Sequence, residues 1–108
     1  MRTPVWCLVW VLAAAATNAV AADPKPASHQ VVIEGVQYAP LEITAKVGDV
    51  ILWINHDAFP HTVTAAGKQF DSRDIAAGSS WKYKAIKAGV FAYACTYHPT
   101  MKGTLRVE

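Results

Sequence analysis

Two short runs of alternating apolar and polar residues constrain the fold of this chain more than any other feature. In residues 41–47 the odd positions are apolar and the even ones polar, and in residues 81–85 two lysines alternate with Trp, Tyr and Ala. A period of two residues is that of a β-strand with one buried face. Residues 50–54 are apolar throughout, which predicts a central strand covered on both faces.

Turn sequences divide the rest of the chain into short segments that leave no room for crossover helices. Glycine-containing turns occur at 48–49, 66–68, 77–79 and 87–89. Further strands are predicted at 29–35, 61–65, 90–95 and 103–107. Short strands at this spacing are typical of an all-β fold, and we expect an antiparallel sandwich or a Greek-key barrel.

The first 22 residues have the composition of a cleavable signal peptide. A weakly positive start precedes an apolar run at 5–16, and small residues favour cleavage after Ala21 or Ala22. The apolar run is shorter than the roughly 20 residues that a membrane-spanning helix needs, which argues against a retained anchor. We therefore expect export to the periplasm, no stable membrane association after cleavage, and three segments: a signal peptide at 1–22, a flexible proline-rich lead at 23–28 and one folded domain at 29–108.

The predicted mature chain is nearly neutral and retains one cysteine and one methionine. Of ten Lys and Arg only Arg2 is lost, which leaves nine against eight acidic residues, a net charge of +1. This balance implies neither a nucleic-acid partner nor a membrane surface. Cys95 and Met101 remain, and one cysteine cannot form an internal disulfide. A lone thiol in an oxidising compartment is a liability unless something protects or uses it.

Four residues with metal-binding side chains occupy positions that can converge on one point. Cys95, His98 and Met101 follow a C-x2-H-x2-M spacing between two predicted strands, and His61 opens the predicted strand at 61–65. Two imidazoles, one thiolate and a weak axial thioether are the ligands of a blue-copper site. Soft sulfur ligands suit Cu(I) and imidazoles also suit Cu(II), so this set would let one copper ion exchange an electron.

Each of these residues has a simpler explanation when it is considered alone. A histidine after a proline is usually an ordinary strand-end residue, and a single cysteine or methionine is usually part of the core. His56 is a competing ligand candidate, but its place beside Asp57 predicts an exposed loop residue. His29 begins a predicted strand near the flexible lead and is interpreted as a structural residue. The joint occurrence of the whole set favours a metal site over coincidence.

The motifs resemble those of the cupredoxins, the family of small blue copper proteins that includes amicyanin-like and plastocyanin-like members. The short C-x2-H-x2-M spacing is similar to that of the amicyanin-like members. The resemblance covers roughly residues 31–108 and implies an eight-stranded Greek-key sandwich with one copper ion at one end. Other matching segments are Val47-Gly48-Asp49, Trp53-Ile54-Asn55, Pro60-His61 and Met101-Lys102-Gly103.

The resemblance also implies roles for residues around the copper ion. Asn55 would tie the two ligand-bearing segments together by hydrogen bonds. The exposed edge of His98 would pass the electron. Around that edge we ourselves expect a small apolar docking patch that includes Pro60, Pro99 and Phe59. These implied roles lead us to expect transient contacts with redox partner proteins.

Two positions depart from the amicyanin-like pattern. Tyr97 stands where such loops usually have proline, and Thr100 stands where they usually have an aromatic residue. Because both positions border the docking patch, the partner of that group is not carried over to this chain. Without the proline, we expect His98 to leave Cu(I) and take up a proton at mildly acidic pH.

The resulting prediction is a monomeric periplasmic type 1 (blue) copper protein that carries one electron between a donor and an acceptor protein. The alternative is a copper-binding or copper-sequestering protein without a redox partner, and the rate of electron self-exchange separates the two. An enzyme such as a nitrite reductase needs a second metal site with an open position, for which the mature chain lacks spare histidines. We therefore predict no enzymatic activity.

Overall fold

Eight strands in two sheets make up the part of the protein that the computed structural model describes, namely Arg2 and residues 25–108. The predicted signal peptide at 1–22 and the beginning of the predicted lead lie outside the described residues, apart from Arg2. Among the described residues no helix is long and apolar enough to cross a membrane. The strands are β1 (Ser28–Ile33), β2 (Tyr38–Ala39), β3 (Glu42–Ala45), β4 (Val50–Asn55), β5 (Thr64–Ala65), β6 (Ser80–Lys84), β7 (Gly89–Ala94) and β8 (Lys102–Val107).

The strands form two four-stranded sheets, with the orders β2-β1-β4-β6 and β3-β8-β7-β5. The predicted all-β sandwich of about eight strands is therefore confirmed. The expected antiparallel arrangement does not hold for two pairs, because β1 runs parallel to β4 and β3 runs parallel to β8. Between the two strands of each parallel pair, the chain forms at least one strand of the other sheet. It can therefore return to the first sheet at the same end, and the second strand then runs parallel to the first. Alternation of side chains fixes the buried face of a strand, but not the direction of its partner.

Strand β4 lies in the centre of its sheet, as its apolar sequence predicts, but only one of its faces is fully covered. Ile51 and Trp53 point into the sandwich and are completely buried, whereas Val50, Leu52 and Ile54 on the outer face are half-buried. The two lysines of β6 lie opposite this outer face in the antiparallel pairing. Their aliphatic stems can cover apolar neighbours while the ammonium groups stay in water.

Two predicted strands are shorter in the structure. The strand expected at 41–47 is reduced to β3, and its apolar ends Leu41 and Val47 are 65% and 52% exposed. The strand expected at 61–65 is reduced to β5, because the backbone of His61 pairs with Ile75 instead of with β7. The residues before β5 therefore belong to a loop region at one end of the sandwich.

An aromatic cluster fills the space between the sheets below that end. The ring centroid of Trp53 lies 5.6 Å from those of Trp81 and Tyr93 and 6.2 Å from that of Phe70. Aromatic pairs at such distances and tilted angles stabilise a core beyond the area they bury. The cluster gives the loops that follow β4 and β7 a rigid base.

Candidate metal centre

Cys95 follows β7 directly and continues its inward-facing row of side chains. Phe91, Tyr93 and Cys95 are all buried, which confirms the prediction that they share one face, and the thiol residue is 1% exposed. The strand thus directs the sulfur into the end of the sandwich beside aromatic side chains. Residues 95–101, called the ligand loop below, then turn back towards β8.

His61 is held in place through its backbone before β5 begins. Its N–H donates to the carbonyl of Ile75 at 3.2 Å, and the N–H of Ile75 donates to the carbonyl of His61 at 2.7 Å. The imidazole is completely buried, and the following residues Thr62 and Val63 are buried as well. This two-bond bridge to the neighbouring loop orients the ring towards the interior.

Three of the predicted ligands converge at this end of the sandwich. The sulfur of Cys95 lies 3.7 Å from Nδ1 of His61 and 3.9 Å from Nδ1 of His98. One donor atom from each residue lies within 4.8 Å of the others. Metal–sulfur and metal–nitrogen bonds of about 2.3 and 2.0 Å, the lengths found in zinc sites, separate nitrogen from sulfur by about 3.7 Å at an angle of about 120°. The observed distances therefore fit one transition-metal ion bound by all three atoms.

Met101, the fourth predicted ligand, ends the ligand loop and is buried, with 2% exposed. Its N–H donates to the carbonyl of His98 at 2.8 Å, and its carbonyl accepts from the N–H of Cys95 at 3.1 Å. These two bonds close the loop and join all three ligand-bearing residues in one tight turn. The structure thus brings Met101 into the same closed loop as Cys95 and His98. A donor set of two imidazoles, a thiolate and a weak thioether would favour copper over zinc, because it is the ligand set of blue-copper sites.

The environment of Cys95 favours the thiolate, which is the form that binds metals. Burial alone would raise the pKa of the thiol. The N–H of Thr62, the nearby rings of His61 and His98 and the N–H of Tyr97 together outweigh this and lower the pKa to about 6. The Thr62 nitrogen lies 3.3 Å from the sulfur.

Asn55 is fully buried and organises the segment that carries His61. Its side-chain amide donates to the carbonyls of Phe59 and Ile75, each at 2.9 Å, and its Oδ1 accepts from the N–H of Asp57 at 3.0 Å. The resemblance implied that Asn55 ties this segment to the ligand loop. Among the described hydrogen bonds, the Asn55 side chain joins it to the loop around residue 75 instead.

A pair of threonines makes the connection between the two ligand-bearing segments. The N–H of Thr96 donates to Oγ1 of Thr62 at 2.9 Å, and the two hydroxyl oxygens lie 3.3 Å apart. Sequence reasoning did not find this pair. The only available signal was that each threonine directly follows a predicted ligand, His61 in one case and Cys95 in the other.

Asp57 is a third polar residue that the sequence analysis did not connect with the site. Its Oδ2 lies 2.7 Å from Nε2 of His61, on the side of the ring opposite the cluster. Its carboxylate also accepts from the N–H groups of Val36 and Gly35. These backbone donors are the main reason that the pKa of Asp57 is lowered.

The remaining predicted residues lie at the outer edge of the centre. His98 is half-buried, and Phe59, Pro60 and Pro99 are exposed. The ring of Phe59 lies 5.0 Å from that of His61 and 5.8 Å from that of His98, between centroids. Nearby, the hydroxyl of Tyr97 donates to the carboxylate of Asp74.

The other two histidines lie outside the cluster. His56 is exposed, as its sequence position predicts. His29 lies on β1, where its Nε2 is 2.9 Å from Oδ2 of Asp49. The structure thus separates the two histidines near the metal centre from the two that were not expected to bind a metal.

Comparisons of the sequence and of the structure with known proteins point to the same family. The chain matches the family model of the cupredoxin-like domain over residues 4–107. Amicyanin of Paracoccus versutus is 33% identical over 95 residues, which cover 82% of this chain and 72% of that protein. A solved structure of an oxidised proline-to-alanine mutant of amicyanin aligns with a TM-score of 0.70 and 31% identity, covering 75% of this chain and 82% of that chain.

The same fold also occurs as part of an enzyme. A copper-containing nitrite reductase from Thermus scotoductus SA-01 aligns with a TM-score of 0.71 and 25% identity. The alignment covers 77% of this chain but 23% of the reductase. The similarity therefore concerns a fraction of that protein, and the fold alone does not decide between a carrier and an enzyme.

Proposed function

This chain belongs to the cupredoxin-like domain family, and from that premise we propose that it is a type 1 copper protein that carries single electrons between periplasmic proteins. The observation that supports this most directly is the convergence of two imidazole nitrogens and one cysteine sulfur within 4.8 Å at a buried end of the sandwich. This donor set, with Met101 in the same closed loop, is that of a blue-copper site.

In the proposed site, His61, Cys95 and His98 would hold the copper ion, and Met101 would supply a weaker thioether ligand. Copper bound there would supply the reversible change between Cu(I) and Cu(II). The role of the chain is to keep the donor atoms in one arrangement for both states. The backbone bonds of the ligand loop and the threonine pair support such a rigid arrangement, because they fix the two segments independently of the ion.

The edge of His98 is the proposed path of the electron. It is the most exposed of the three converging residues, and Phe59, Pro60 and Pro99 are exposed as well. The ring centroid of Phe59 lies 5.8 Å from that of His98, and Pro99 follows His98 directly in the chain. A small apolar surface with few charges suits a weak contact that forms and dissociates quickly. We propose that redox partners dock here transiently.

The remaining features of the proposal follow from the sequence. The signal-peptide composition supports a periplasmic location without stable membrane association, and the near-neutral mature charge gives no support for nucleic-acid binding. A monomer is the state we propose for a carrier with one small docking surface.

We also propose that the protein is not an enzyme in its own right. Catalysis at copper needs a metal position that is open to substrate. Of the four histidines, two belong to the cluster, His29 is hydrogen-bonded to Asp49, and His56 is exposed at the surface. The two histidines outside the cluster are too few to support a second, catalytic copper site like that of a reductase.

Titration of the purified copper-free protein with Cu(II) tests the proposal. We expect one equivalent to give an intense blue absorption that a mild reductant bleaches and an oxidant restores. A colourless copper complex would contradict the proposal. Electron self-exchange, measured by NMR line broadening in mixtures of the oxidised and reduced protein, then distinguishes a carrier from a sequestering protein, for which exchange should be very slow.

A further inference from the structure

We propose that Asp57 is a positioning residue for the metal centre, which fixes the tautomer and orientation of the His61 ring. This inference rests on the proposed function, because it takes His61 to be a metal ligand. The observation behind it is the contact of 2.7 Å between Oδ2 of Asp57 and Nε2 of a completely buried imidazole.

The two nitrogens of the His61 ring face different partners. Nδ1 lies 3.7 Å from the sulfur of Cys95, whereas Nε2 faces the carboxylate. An ionised carboxylate only accepts hydrogen bonds, so the neutral ring must carry its proton on Nε2. The lone pair of Nδ1 is then directed towards the other donor atoms, as a metal ligand requires.

The carboxylate is itself held by the tight turn between β1 and β2. Gly35 donates its N–H to Oδ1 at 2.8 Å, and Val36 donates its N–H to Oδ2 at 3.0 Å. Both residues have positive φ angles, 61° and 58°. Successive N–H groups in such a turn form a concave site for an anion, and the carboxylate of Asp57 occupies it.

The conformation of Val36 supports a function for this arrangement. A β-branched residue at positive φ is a genuine outlier, because its side chain crowds the backbone there. Such strained residues persist where their surroundings hold them, and they are concentrated at functional sites. Here the strained turn directs two N–H groups at Asp57, and Asp57 contacts the metal-ligand candidate.

A simpler explanation is that Asp57 only stabilises the turn and the loop after β4. Its own N–H donates to Oδ1 of Asn55, so it has a structural role in any case. The two explanations differ in one respect. Only a positioning role predicts that removal of the carboxylate changes the protonated nitrogen of His61 in a chain that remains folded.

The test is NMR of the copper-free, ¹⁵N-labelled protein at about pH 9, where ordinary histidine rings are neutral. Long-range ¹H–¹⁵N correlations identify the protonated ring nitrogen. We expect Nε2 in the wild type. In Asp57→Asn the new amide can donate to Nε2, so we expect the proton to shift towards Nδ1, and copper affinity to fall by about 10- to 100-fold, as for other lost partners of ligand histidines.

Asp71→Asn is the matched control, because it removes the same charge from an exposed loop residue that contacts Thr64 and Arg73. It should retain the wild-type tautomer and copper affinity. If Asp57→Asn does not fold, the wild-type spectrum still decides, since a proton on Nδ1 of His61 would overturn the proposal. Equal copper affinity and an unchanged tautomer in folded Asp57→Asn would overturn it as well.

The failure of this inference can be distinguished from that of the proposed function. A wild-type protein that forms no blue copper complex refutes the proposed function. A wild-type blue complex together with an Asp57→Asn variant that matches it in affinity and tautomer refutes only the role of Asp57. A shifted tautomer with weakened copper binding supports both.

Discussion

Cys95 is the residue on which the proposed colour and redox behaviour depend. We predict that Cys95→Ser abolishes the intense blue absorption of the copper complex, because a hydroxyl does not provide the soft thiolate donor. The two imidazoles remain, so weaker binding of Cu(II) with a pale spectrum is expected. Optical titration of both proteins with Cu(II) measures this.

Thr100→Ser is a suitable control for that experiment. Thr100 belongs to the same ligand loop, but its side chain is exposed and is not among the converging donors. The control should retain the blue spectrum. If Cys95→Ser were as blue as the wild type, the assignment of the sulfur as a ligand would be wrong.

Asp49 lies among three hydrogen-bond donors near the start of the domain. Its carboxylate accepts from the N–H groups of Ala27 and Lys46 and contacts the ring of His29, all at 2.9 Å. The hydrogen bond with His29, followed by those from Lys46 and Ala27, lowers the pKa of Asp49 from 3.8 to about 2. A carboxyl with a lowered pKa stabilises the folded state only while it is ionised.

The contribution of Asp49 to stability should therefore be complete above about pH 4 and should disappear as the pH falls towards 2. We predict that Asp49→Asn is less stable than the wild type at pH 7 and that the difference between them shrinks in this acidic range. Urea unfolding of both copper-free proteins at several pH values measures it. A difference that stays constant from pH 5 to pH 2 would contradict the assignment.

For the strands, the sequence predicted which face of each strand is buried better than it predicted which strands pair with one another. Ile43 and Ala45 are buried and Glu42 and Thr44 exposed, as alternation requires. The parallel pairing of β3 with β8 was not predictable, because it depends on where the chain crosses between sheets. Backbone pairing also explains why β5 is short. The N–H and carbonyl of His61 form hydrogen bonds with Ile75, so they are not available to extend the pairing of β5 with β7.

Strand β8 depends on a glycine that faces the core. A Cβ atom built on Gly103 would collide with the ring and hydroxyl of Tyr93, which is 2% exposed and cannot move into water. We predict that Gly103→Ala lowers the free energy of unfolding by about 1–3 kcal/mol, the usual range for overpacking. Chemical denaturation of the copper-free protein measures the loss.

Lys102→Ala provides the comparison within the same strand. Its side chain is exposed, and surface substitutions of this kind usually change stability by no more than about 0.5 kcal/mol. If Gly103→Ala were as mild as Lys102→Ala, the packing of Tyr93 against β8 would have to be looser than the structure shows.

At the metal centre, too, the spacing of residues in the sequence predicted part of the site, namely the candidate ligands, but not the contacts around them. Cys95, His98 and Met101 are close in sequence, so a turn brings them together whatever the rest of the fold does. His61 could be added because it was predicted to open an inward-facing strand. The contacts of Asp57 and the bond between Thr62 and Thr96 depend on atomic distances between separate loops, which residue types alone do not encode.

The hypothesis that His98 leaves Cu(I) on protonation stays a prediction, but the structure adds a relevant contact. The hydroxyl of Tyr97 donates to Asp74 and ties the ligand loop to the loop before β6. A proline at this position would stiffen the loop through its backbone, whereas the tyrosine links it through its side chain. Position 97 is thus restrained by a side-chain hydrogen bond instead of by a proline ring.

For the whole molecule, the proposed metal ion would add a link between two segments that the threonine pair already connects. Its ligands would come from the loop before β5 and from the loop after β7, and an ion bound between them would favour the folded chain over the unfolded one. At a free Cu(I) concentration 100 times the dissociation constant, binding should add about 2.7 kcal/mol to the free energy of unfolding. For a domain of this size that corresponds to a rise in Tm of about 10–20 °C.

Thermal unfolding followed by circular dichroism, with and without Cu(I), measures this rise. Addition of a chelator should reverse it, and Cys95→Ser should show a much smaller shift, because it loses a soft donor that suits Cu(I). Asp71→Asn should behave like the wild type. An equal rise in Cys95→Ser and in the wild type would mean that copper stabilises the chain at some other place, and the centre built around His61, Cys95 and His98 would then not be the binding site.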